Sequence, residues 1–404
     1  MKISSFNPDT GEIEVEHDTK NIFDFFESRG FNFPKEIITR YVLSLATKPF
    51  VMLSGISGTG KTKIAQLFAD YICQNYITAK FTEKERKKLT AEEFKKLVKD
   101  ERDNRVAFVP VRPDWLDNRG LLGYYNILEM SYSSTRVLRL LLDAAEHPDK
   151  PYFIILDEMN LAKVEYYFAD FLSIMESRTT GNEDNERGET LHLHDSKDVK
   201  DAFGIEIPRM TLIPDNVYFT GTVNVDESTY MFSPKVLDRA NVIEFNKVDL
   251  LPGSQTVASP FRFKQDDKCD FADIKKINEI FSKEKRRVFC HSQDFNECKV
   301  KNEIDDIHKI LETDNLHFGY RVANEFSRFI NLSDEWVGKD QINEAIDIQI
   351  MQKILPKFHG TKGKLQDTLE SLKKHCDEKN YTRSSAKLKA MLKQLEEGYT
   401  SFIQ

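Results

Sequence analysis

Five short apolar runs, rich in β-branched and aromatic residues, recur along the first 245 positions of the chain. They are "FVMLS" at 50, "VAFVPV" at 106, "YFIILDE" at 152, "VYFTGTVN" at 217 and "NVIEF" at 241, with helical patterns between them. Continuous apolar strands that alternate with helices are typical of a parallel sheet covered on both faces. The pattern therefore predicts an α/β core built on a parallel five-stranded sheet.

A helix is predicted immediately before the first of these strands. In "PKEIITRYVLSLATKPF", Pro34 stands at a plausible first helical position. The apolar residues after it share one face of a helix; they are Ile37, Ile38, Tyr41, Val42 and Leu45. Residues 1–33 form a short N-terminal extension, whose aromatic part "IFDFFESRGFNF" is expected to pack on the core.

Two stretches interrupt the alternation of strands and helices. Residues 81–105 are densely charged and predict a solvated helical insertion, with a contact to nucleic acid as the less favoured alternative. Residues 181–212 combine turn residues with the alternating "ETLHLH", which predicts a β-hairpin insertion. The same alternation would place His192 and His194 on one side of a strand, so a metal pair is an alternative to two exposed histidines.

From about residue 250 the strand patterns end and helical periodicity continues to the C-terminus. This change divides the chain into three parts: the extension at 1–33, an α/β nucleotide-binding core at 34–250, and a mostly helical region at 251–404. A chain of 404 residues has room for more than one packed unit, because single hydrophobic cores stop growing at roughly 250–300 residues.

Composition and charge exclude several classes of protein. The net charge of −8 argues against a surface that binds nucleic acid over its whole extent. No apolar run approaches the roughly 20 residues that a membrane-spanning helix needs, and the first residues lack the apolar core of a signal peptide. We therefore expect a cytoplasmic protein with no membrane partner.

The five cysteines are odd in number and scattered, without the paired spacings of zinc sites. They are Cys73, Cys269, Cys290, Cys298 and Cys376. We expect them to be reduced and structural, and the adjacent Cys290 and His291 to be an incidental pair rather than a metal site.

The stretch "GISGTGKT", Gly55 to Thr62, matches the pattern G-x-x-x-x-G-K-[ST] between a predicted strand and a predicted helix. Glycines let successive backbone N–H groups turn toward phosphate oxygens, and the positive end of the helix faces the same anion. Lys61 would reach the β- and γ-phosphates, and the Thr62 hydroxyl would bind Mg²⁺. The expected nucleotide-binding residues are Gly55, Ile56, Ser57, Gly58, Thr59, Gly60, Lys61 and Thr62.

Two adjacent carboxylates, Asp157 and Glu158, end the apolar strand "YFIILDE". Asp157 would hold the Mg²⁺ shell, and Glu158 would accept a proton from an attacking water, which favours hydrolysis over transfer to another substrate. A helix-capping pair of acids is the alternative. Asn224 ends "VYFTGTVN", where a polar side chain on a neighbouring strand would orient that water.

Arg239 ends the predicted helix in "FSPKVLDRANVIEF". A charged helix end is ordinarily solvated. After a phosphate loop, an Asp-Glu pair and a polar strand end in this order, Arg239 is also a candidate arginine finger that stabilises transition-state charge at a neighbouring subunit's nucleotide.

This order of motifs resembles the AAA+ superfamily of nucleoside triphosphatases. The stretches "VPVRPDWLDNRGLLGYYN", "IILDEMNLAKVEYYFADFLSIMESR", "FTGTVNVDESTYMFSPKVLDRANVIEF", "FGYRVANEFSRFI" and "KILPKFHG" are similar to the AAA+ proteins grouped with McrB, the motor subunit of modification-dependent restriction systems. The resemblance covers roughly residues 35–400, and its "RPDW…LLGYYN" and "TVNxDES" pieces are the most specific.

The resemblance implies an AAA+ P-loop core with β-hairpin insertions and a C-terminal, mostly helical lid. It also implies a homo-oligomeric ring, usually of six subunits, with each nucleotide between two of them. Arg321 in "FGYR" matches the position that other AAA+ lids use to sense the γ-phosphate. Tyr124 and Tyr125 lie in a segment similar to insertions that line or cap the ring's pore, and core packing is an equal alternative for them.

Two departures from the McrB pattern bear on function. The chain reads Asn224-Val225-Asp226-Glu227-Ser228 where McrB has an Asn-Thr-Ala-Asp-Arg-Ser pattern associated with GTP, so ATP and GTP are both candidate substrates. Only about 35 residues precede the first core helix, whereas McrB has a sizeable domain there that reads modified DNA.

The sequence therefore favours a McrB-like triphosphatase that uses Mg²⁺, drives a separate McrC-like nuclease and meets DNA through that complex, in defence against foreign DNA. A MoxR-like or midasin-like ring that remodels protein complexes is the alternative.

Overall fold

The computed structural model describes residues 3–6, 13–15, 21–86, 88–177, 189–225, 230–245, 261–263 and 300–403. The strands are β1 (Ile3–Phe6), β2 (Ile13–Val15), β3 (Phe50–Gly55), β4 (Val106–Pro110), β5 (Gly123–Asn126), β6 (Ser131–Ser134), β7 (Tyr152–Asp157), β8 (Leu191–His192), β9 (Met210–Thr211), β10 (Val217–Asn224), β11 (Asn241–Glu244), β12 (His359–Thr361) and β13 (Tyr399–Ser401).

The α-helices are α1 (Ile22–Ser28), α2 (Lys35–Thr47), α3 (Lys61–Lys80), α4 (Glu83–Arg86), α5 (Ala91–Arg105), α6 (Arg119–Leu122), α7 (Arg136–Glu146), α8 (Val164–Tyr167), α9 (Ala169–Ser177), α10 (Pro234–Leu237), α11 (Lys301–Glu312), α12 (Tyr320–Trp336), α13 (Ile342–Gln349), α14 (Lys362–Glu378) and α15 (Thr382–Glu396). A π-helical turn spans Ile350–Ile354, and 3₁₀ turns span Met159–Leu161, Lys339–Gln341 and Leu355–Lys357.

The central sheet has five strands in the order β11-β3-β10-β7-β4, and all neighbouring pairs are parallel. These are the five strands that the apolar runs predict, so the α/β prediction with a five-stranded parallel sheet is confirmed. The register pairs Asn224 with Gly55, and Pro110 with Asp157. The carboxyl ends of the four strands β3, β4, β7 and β10 therefore meet at one edge of the sheet.

Helix α2 departs from its prediction in two ways. Pro34 is the N-cap and the helix begins at Lys35, so Pro34 is not the first helical residue. The apolar pattern predicts one buried face, but every residue from 38 to 47 is buried. The second side of the helix is covered by the C-terminal helices, where the Gln352 side-chain amide donates a 3.0 Å hydrogen bond to Ser44 Oγ.

The aromatic part of the N-terminal extension packs on the core, as predicted. All four apolar residues of α1 are buried. The Phe25 ring lies 5.3 Å from the ring of Tyr71 on α3, and the Phe26 ring lies 6.0 Å from that of Phe33. The apolar residues between positions 22 and 33 thus belong to the hydrophobic core of the sheet or pack against it.

The charged insertion forms α4 and α5, and α5 begins at a capping box between Thr90 and Glu93. Most of α5 faces solvent, but Arg105 at its end is only 1% exposed. Its Nε donates to the Pro151 carbonyl at 2.9 Å, and its guanidinium lies 4.9 Å from the centre of the Tyr76 ring. The prediction of a solvated insertion is wrong for this residue, because a guanidinium can be buried when carbonyl and aromatic partners replace water.

The second insertion contains the antiparallel pair β8–β9, while residues 178–188 lie outside the described part of the chain. His192 is exposed and 3.0 Å from Asp195 Oδ1. His194 is buried, and its Nε2 lies 2.9 Å from the Ile207 carbonyl oxygen. Among the described residues, no cluster suited to a metal includes either histidine.

The C-terminal region, described over residues 300–403, is mostly helical. The prediction that strands disappear after residue 250 is wrong for β12 and β13, which pair antiparallel. Each has only three residues, too few to produce a visible alternation. The predicted boundary at 250/251 lies outside the described residues.

Cys73 and Cys376 are free and buried, and burial raises the pKa of each thiol to about 12. The other three cysteines lie outside the described residues. Within the described part of the chain, no helix combines the length and apolar character required to cross a membrane.

Candidate functional site

The glycine loop between β3 and α3 has a backbone that only glycine adopts easily. Gly58 and Gly60 have φ angles of 79° and 90°, in the left-handed region. A Cβ atom on Gly60 would also lie 2.9 Å from ring carbons of Phe33. The loop conformation therefore depends on these glycines, and its last turn lies directly against the N-terminal extension.

Lys61 begins α3 and is 5% exposed. Its ammonium group donates hydrogen bonds to the carbonyl oxygens of Gly55 and Ile56, at 2.7 and 2.6 Å. The side chain is therefore folded back over the loop that precedes it. The buried face of α3 includes Ile64, Leu67, Phe68, Tyr71 and Ile72.

Asp157 ends β7 and accepts two hydroxyl hydrogen bonds on the same oxygen, Oδ1. Thr62 Oγ1 donates from α3 at 2.7 Å, and Thr222 Oγ1 donates from β10 at 2.8 Å. Carboxylate and hydroxyl oxygens are hard donors of the kind that Mg²⁺ accepts. The adjacent oxygens of Thr62 and Asp157 thus fit the metal role predicted for them.

Glu158 follows β7 in a left-handed conformation, with φ 52° and ψ 51°. Such a backbone is uncommon for residues other than glycine and concentrates at functional sites. The turn is fixed at two points: Glu158 N donates to Thr222 Oγ1 at 3.0 Å, and Asn224 Nδ2 donates to Glu158 Oε1 at 3.0 Å.

Asn224 is itself held in place by the 3₁₀ turn after β7, since Asn160 Nδ2 donates to the Asn224 carbonyl at 2.9 Å. The structure thus brings Lys61, Thr62, Asp157, Glu158 and Asn224 to one edge of the sheet.

Thr222, which links both carboxylate residues to β10, is absent from the residues predicted from sequence. A signal was present, because Thr222 and Asn224 are two residues apart on one strand and therefore point to the same side of it.

Within one chain, Arg239 lies away from the sheet edge that carries Glu158 and Asn224. It is partly buried in the turn two residues before β11, whose first residue, Asn241, pairs with Val51. Val51 and Gly55 are four residues apart on β3, about 13 Å at the rise of roughly 3.3 Å per residue. The turn therefore lies toward the amino ends of the strands, whereas the glycine loop follows a carboxyl end.

Arg321 is the second residue of α12, and the structure places it beside Arg239's neighbour Asp238. Arg321 Nη2 lies 3.9 Å from Asp238 Oδ2. The two predicted arginines are thus brought near one turn, which is separate from the cluster around Glu158.

The two tyrosines of the β5–β6 hairpin have different environments. Tyr124 is exposed, whereas Tyr125 is partly buried with its ring 5.9 Å from the His194 ring. The turn of this hairpin presents Ile127, Leu128 and Met130 to solvent, and Leu128 is 95% exposed.

These elements define an α/β protein whose parallel sheet gathers a glycine loop, two carboxylates and an amide at one edge. Among known proteins, residues 270–399 match a family described as a domain of unknown function, DUF8727. The matched range covers less than half of the chain and contains α11–α15 but not the glycine loop. A comparison with curated proteins finds no match.

Proposed function

We propose that this protein is a McrB-like AAA+ nucleoside triphosphatase that hydrolyses ATP or GTP with Mg²⁺. The observation that carries the proposal is a continuous hydrogen-bonded chain through Thr62, Asp157, Thr222, Glu158 and Asn224, next to the glycine loop. It joins three structural elements, so the side chains of a hydrolytic site are positioned before any substrate arrives.

Phosphate binding falls to the glycine loop and Lys61. The backbone N–H groups of the loop and the N-terminus of α3 attract the phosphate oxygens. To bind the β- and γ-phosphates, the Lys61 ammonium exchanges its hydrogen bonds to the Gly55 and Ile56 carbonyls for hydrogen bonds to phosphate oxygens. The exchange costs little free energy because the N–H donors of Lys61 are paired both before and after it.

Thr62 and Asp157 would hold Mg²⁺, which neutralises charge on the phosphates when bound. Thr222 keeps the Asp157 carboxylate oriented toward Thr62. The 2.7 Å contact between Thr62 and Asp157 places both oxygens at a common point beside the loop.

Glu158 is the base that accepts a proton from the attacking water. Its carboxylate is oriented through Oε1 by the Asn224 amide, while its backbone N–H is held by Thr222. This arrangement favours hydrolysis because a fixed carboxylate at the strand end selects water as the nucleophile.

The location of Arg239 supports action between subunits. Arg239 lies toward the amino ends of the strands, whereas a nucleotide on the glycine loop would lie at their carboxyl ends. In this proposal Arg239 therefore contacts the nucleotide of a neighbouring subunit, not that of its own. The proposal therefore includes a homo-oligomeric ring, with six subunits as the number usual in the resembling family. Arg321, beside the same turn, is proposed as a second cation at that boundary.

The cellular role rests on the resemblance. We propose a cytoplasmic ring that drives a McrC-like nuclease and meets DNA through that partner. The protein-remodelling alternative would be favoured if purified ring and nuclease neither associate nor cleave DNA together while triphosphate hydrolysis is intact.

The decisive experiment compares wild type, Lys61→Ala and Glu158→Gln, with ATP and GTP, with and without Mg²⁺. Wild type should hydrolyse at least one nucleotide only when Mg²⁺ is present. Lys61→Ala should lose nucleotide binding, whereas Glu158→Gln should bind normally and not turn over. Equal binding of labelled nucleotide by wild type and Lys61→Ala would overturn the assignment.

A further inference from the structure

Lys353 lies in the π-helical turn of the C-terminal region, yet its side chain reaches the turn that carries Arg239. Its Nζ donates hydrogen bonds to the carbonyl oxygens of Asp238 and Ala240, at 2.8 and 3.1 Å. These are the two residues that flank Arg239 in the chain. Lys353 is 1% exposed, so water does not compete for these contacts.

The same ammonium group is paired with a buried carboxylate. Lys353 Nζ lies 2.5 Å from Glu325 Oε2 on α12, and the other oxygen of Glu325 accepts a hydrogen bond from Lys48, just after α2. Glu325 therefore joins two lysines, one next to the central sheet and one in the C-terminal region.

Burial alone would raise the pKa of Glu325, but the charges of Lys353 and Lys48 outweigh it and hold this pKa at about 2. The carboxylate is thus charged at neutral pH. Its charge offsets part of the cost of burying the ammonium groups. At Lys353 burial still outweighs Glu325 and lowers the pKa of the lysine to about 7.

The Asp238 side chain adds a second set of contacts to the turn. Its carboxylate is paired with Lys357, four residues after Lys353, and it lies 3.9 Å from Arg321. Cations from the C-terminal region therefore contact both the backbone and the side chain of the residue that precedes Arg239.

We propose that Lys353 is a positioning residue for Arg239, fixing the turn from Asp238 to Ala240 so that the arginine presents its guanidinium to the neighbouring subunit. The proposal rests on the proposed function, since it needs Arg239 to act as a finger. It adds a physical connection through which α12 and the π-helical turn control that finger.

Two features support positioning over a role in stability alone. A buried ammonium needs acceptors for its three N–H donors, and Lys353 finds two of them in the carbonyls on either side of Arg239. Lys353 also lies in the π-helical turn Ile350–Ile354. Such turns occur frequently at functional sites. They give side chains directions that differ from those in a regular α-helix.

The test compares Lys353→Met with Lys387→Met as a matched control. Lys387 is another lysine of the C-terminal region, paired with Glu244 at 2.6 Å and with the Phe402 carbonyl at 2.8 Å, neither of which belongs to the Arg239 turn. Lys353→Met should lower kcat on the order of a hundredfold, as a misplaced catalytic group does, while nucleotide Kd changes less than about twofold. Lys387→Met should leave both values near wild type.

A double variant separates positioning from a general loss of stability. If Lys353 acts through Arg239, then Arg239→Ala and Arg239→Ala combined with Lys353→Met should have the same kcat, because the second change has nothing left to position. Multiplicative losses would overturn the proposal. So would a Lys353→Met protein that has a lowered Tm and wild-type kcat.

Should Lys353→Met fail to fold, Lys353→Gln, which removes the charge and shortens the side chain by one bond, takes its place in the same comparison. Lys353→Arg, which keeps charge and donors, should recover part of the lost kcat, and no recovery by a folded Lys353→Arg protein would count against positioning. Failure of the proposed function is distinct, since wild type itself would then hydrolyse no nucleotide.

Discussion

The side-chain amide of Asn224 donates a 3.0 Å hydrogen bond to Glu158 Oε1, across the gap between two neighbouring parallel strands. Since Glu158 directly follows β7 and Asn224 is the last residue of β10, the pairing of these two neighbouring strands brings the side chains together. In the proposed hydrolytic role, a carboxylate held by an amide on a rigid strand would lose little entropy when water and nucleotide bind.

The first prediction concerns this contact. Asn224→Ala should lower kcat by roughly tenfold to a hundredfold, because one positioned hydrogen bond on the reacting groups is lost. Nucleotide Kd should stay within about twofold, since the glycine loop and Lys61 are unchanged. Single-turnover hydrolysis with bound nucleotide measures the step directly. Thr211→Ala, a change of a buried residue on β9, provides a control that should retain wild-type turnover.

The second prediction concerns the base of the nucleotide. ATP should be hydrolysed at least as well as GTP, because the chain lacks the Asp-Arg-Ser pattern that accompanies GTP use in McrB. Residues 226–229, where that departure falls, lie outside the described part of the chain. Steady-state kcat/KM for each nucleotide decides the matter, and activity confined to GTP would contradict the expectation.

The third prediction tests Arg239 across a subunit boundary. Arg239→Ala should bind nucleotide but lose hydrolysis by on the order of a hundredfold or more, within the range that arginine fingers supply. Mixing it with Glu158→Gln should restore part of the activity, because some boundaries then combine an intact Glu158 with an intact Arg239.

Light scattering should first show that Arg239→Ala subunits and Glu158→Gln subunits assemble together. Undiminished turnover by Arg239→Ala alone would end the finger assignment. Co-assembled variants that regain nothing at any ratio would place Arg239 within its own subunit's site, or require every site of the ring to be active at once.

The fourth prediction concerns stability and pH. The pKa of Glu325 is about 2 in the folded protein against an ordinary 4.5, so the unfolded chain binds a proton in this interval that the folded chain does not. Stability from this group is therefore complete above pH 4.5 and is lost as the pH falls toward 2. The full loss is about 3 kcal/mol at 1.36 kcal/mol per pKa unit.

Glu325→Gln removes this contribution, so the difference in unfolding free energy between wild type and variant should shrink as the pH is lowered from 5 toward 3. Urea unfolding at a series of pH values measures it. Asp305→Asn, which breaks the exposed pair with Lys309, should show little difference at any of these pH values. A Glu325→Gln deficit that is independent of pH would contradict a lowered pKa of Glu325 in the folded protein.

The sheet and most of the candidate site follow from local sequence, for an identifiable reason. Each strand of the central sheet is rich in apolar residues, and Asp157, Glu158 and Asn224 stand at or directly after the ends of two of them, so parallel pairing gathers them. Thr222 was accessible by the same logic of alternation along β10.

The ionic contacts around Asp238 and Glu325 were not accessible from sequence. Lys48 and Glu325 are separated by 277 positions and Lys353 and Asp238 by 115, and no periodicity connects residues that meet only through tertiary packing. The burial of α2 on both sides was missed for a related reason. The spacing of apolar residues in α2 predicts its apolar face. It does not predict that residues distant in sequence, such as Gln352, cover the other side of the helix.

The burial of α2 against the C-terminal region also determines which fragments of the protein are suitable for biochemical assays. A truncated polypeptide that stops near residue 245 would keep the glycine loop and both carboxylates, but it would strip Ser44 and Lys48 of their partners Gln352 and Glu325. Such a fragment would expose a helix face made for contact with protein, and poor expression or precipitation is the expected outcome. Negative results from it would say nothing about catalysis, so nucleotide assays belong on the 404-residue chain.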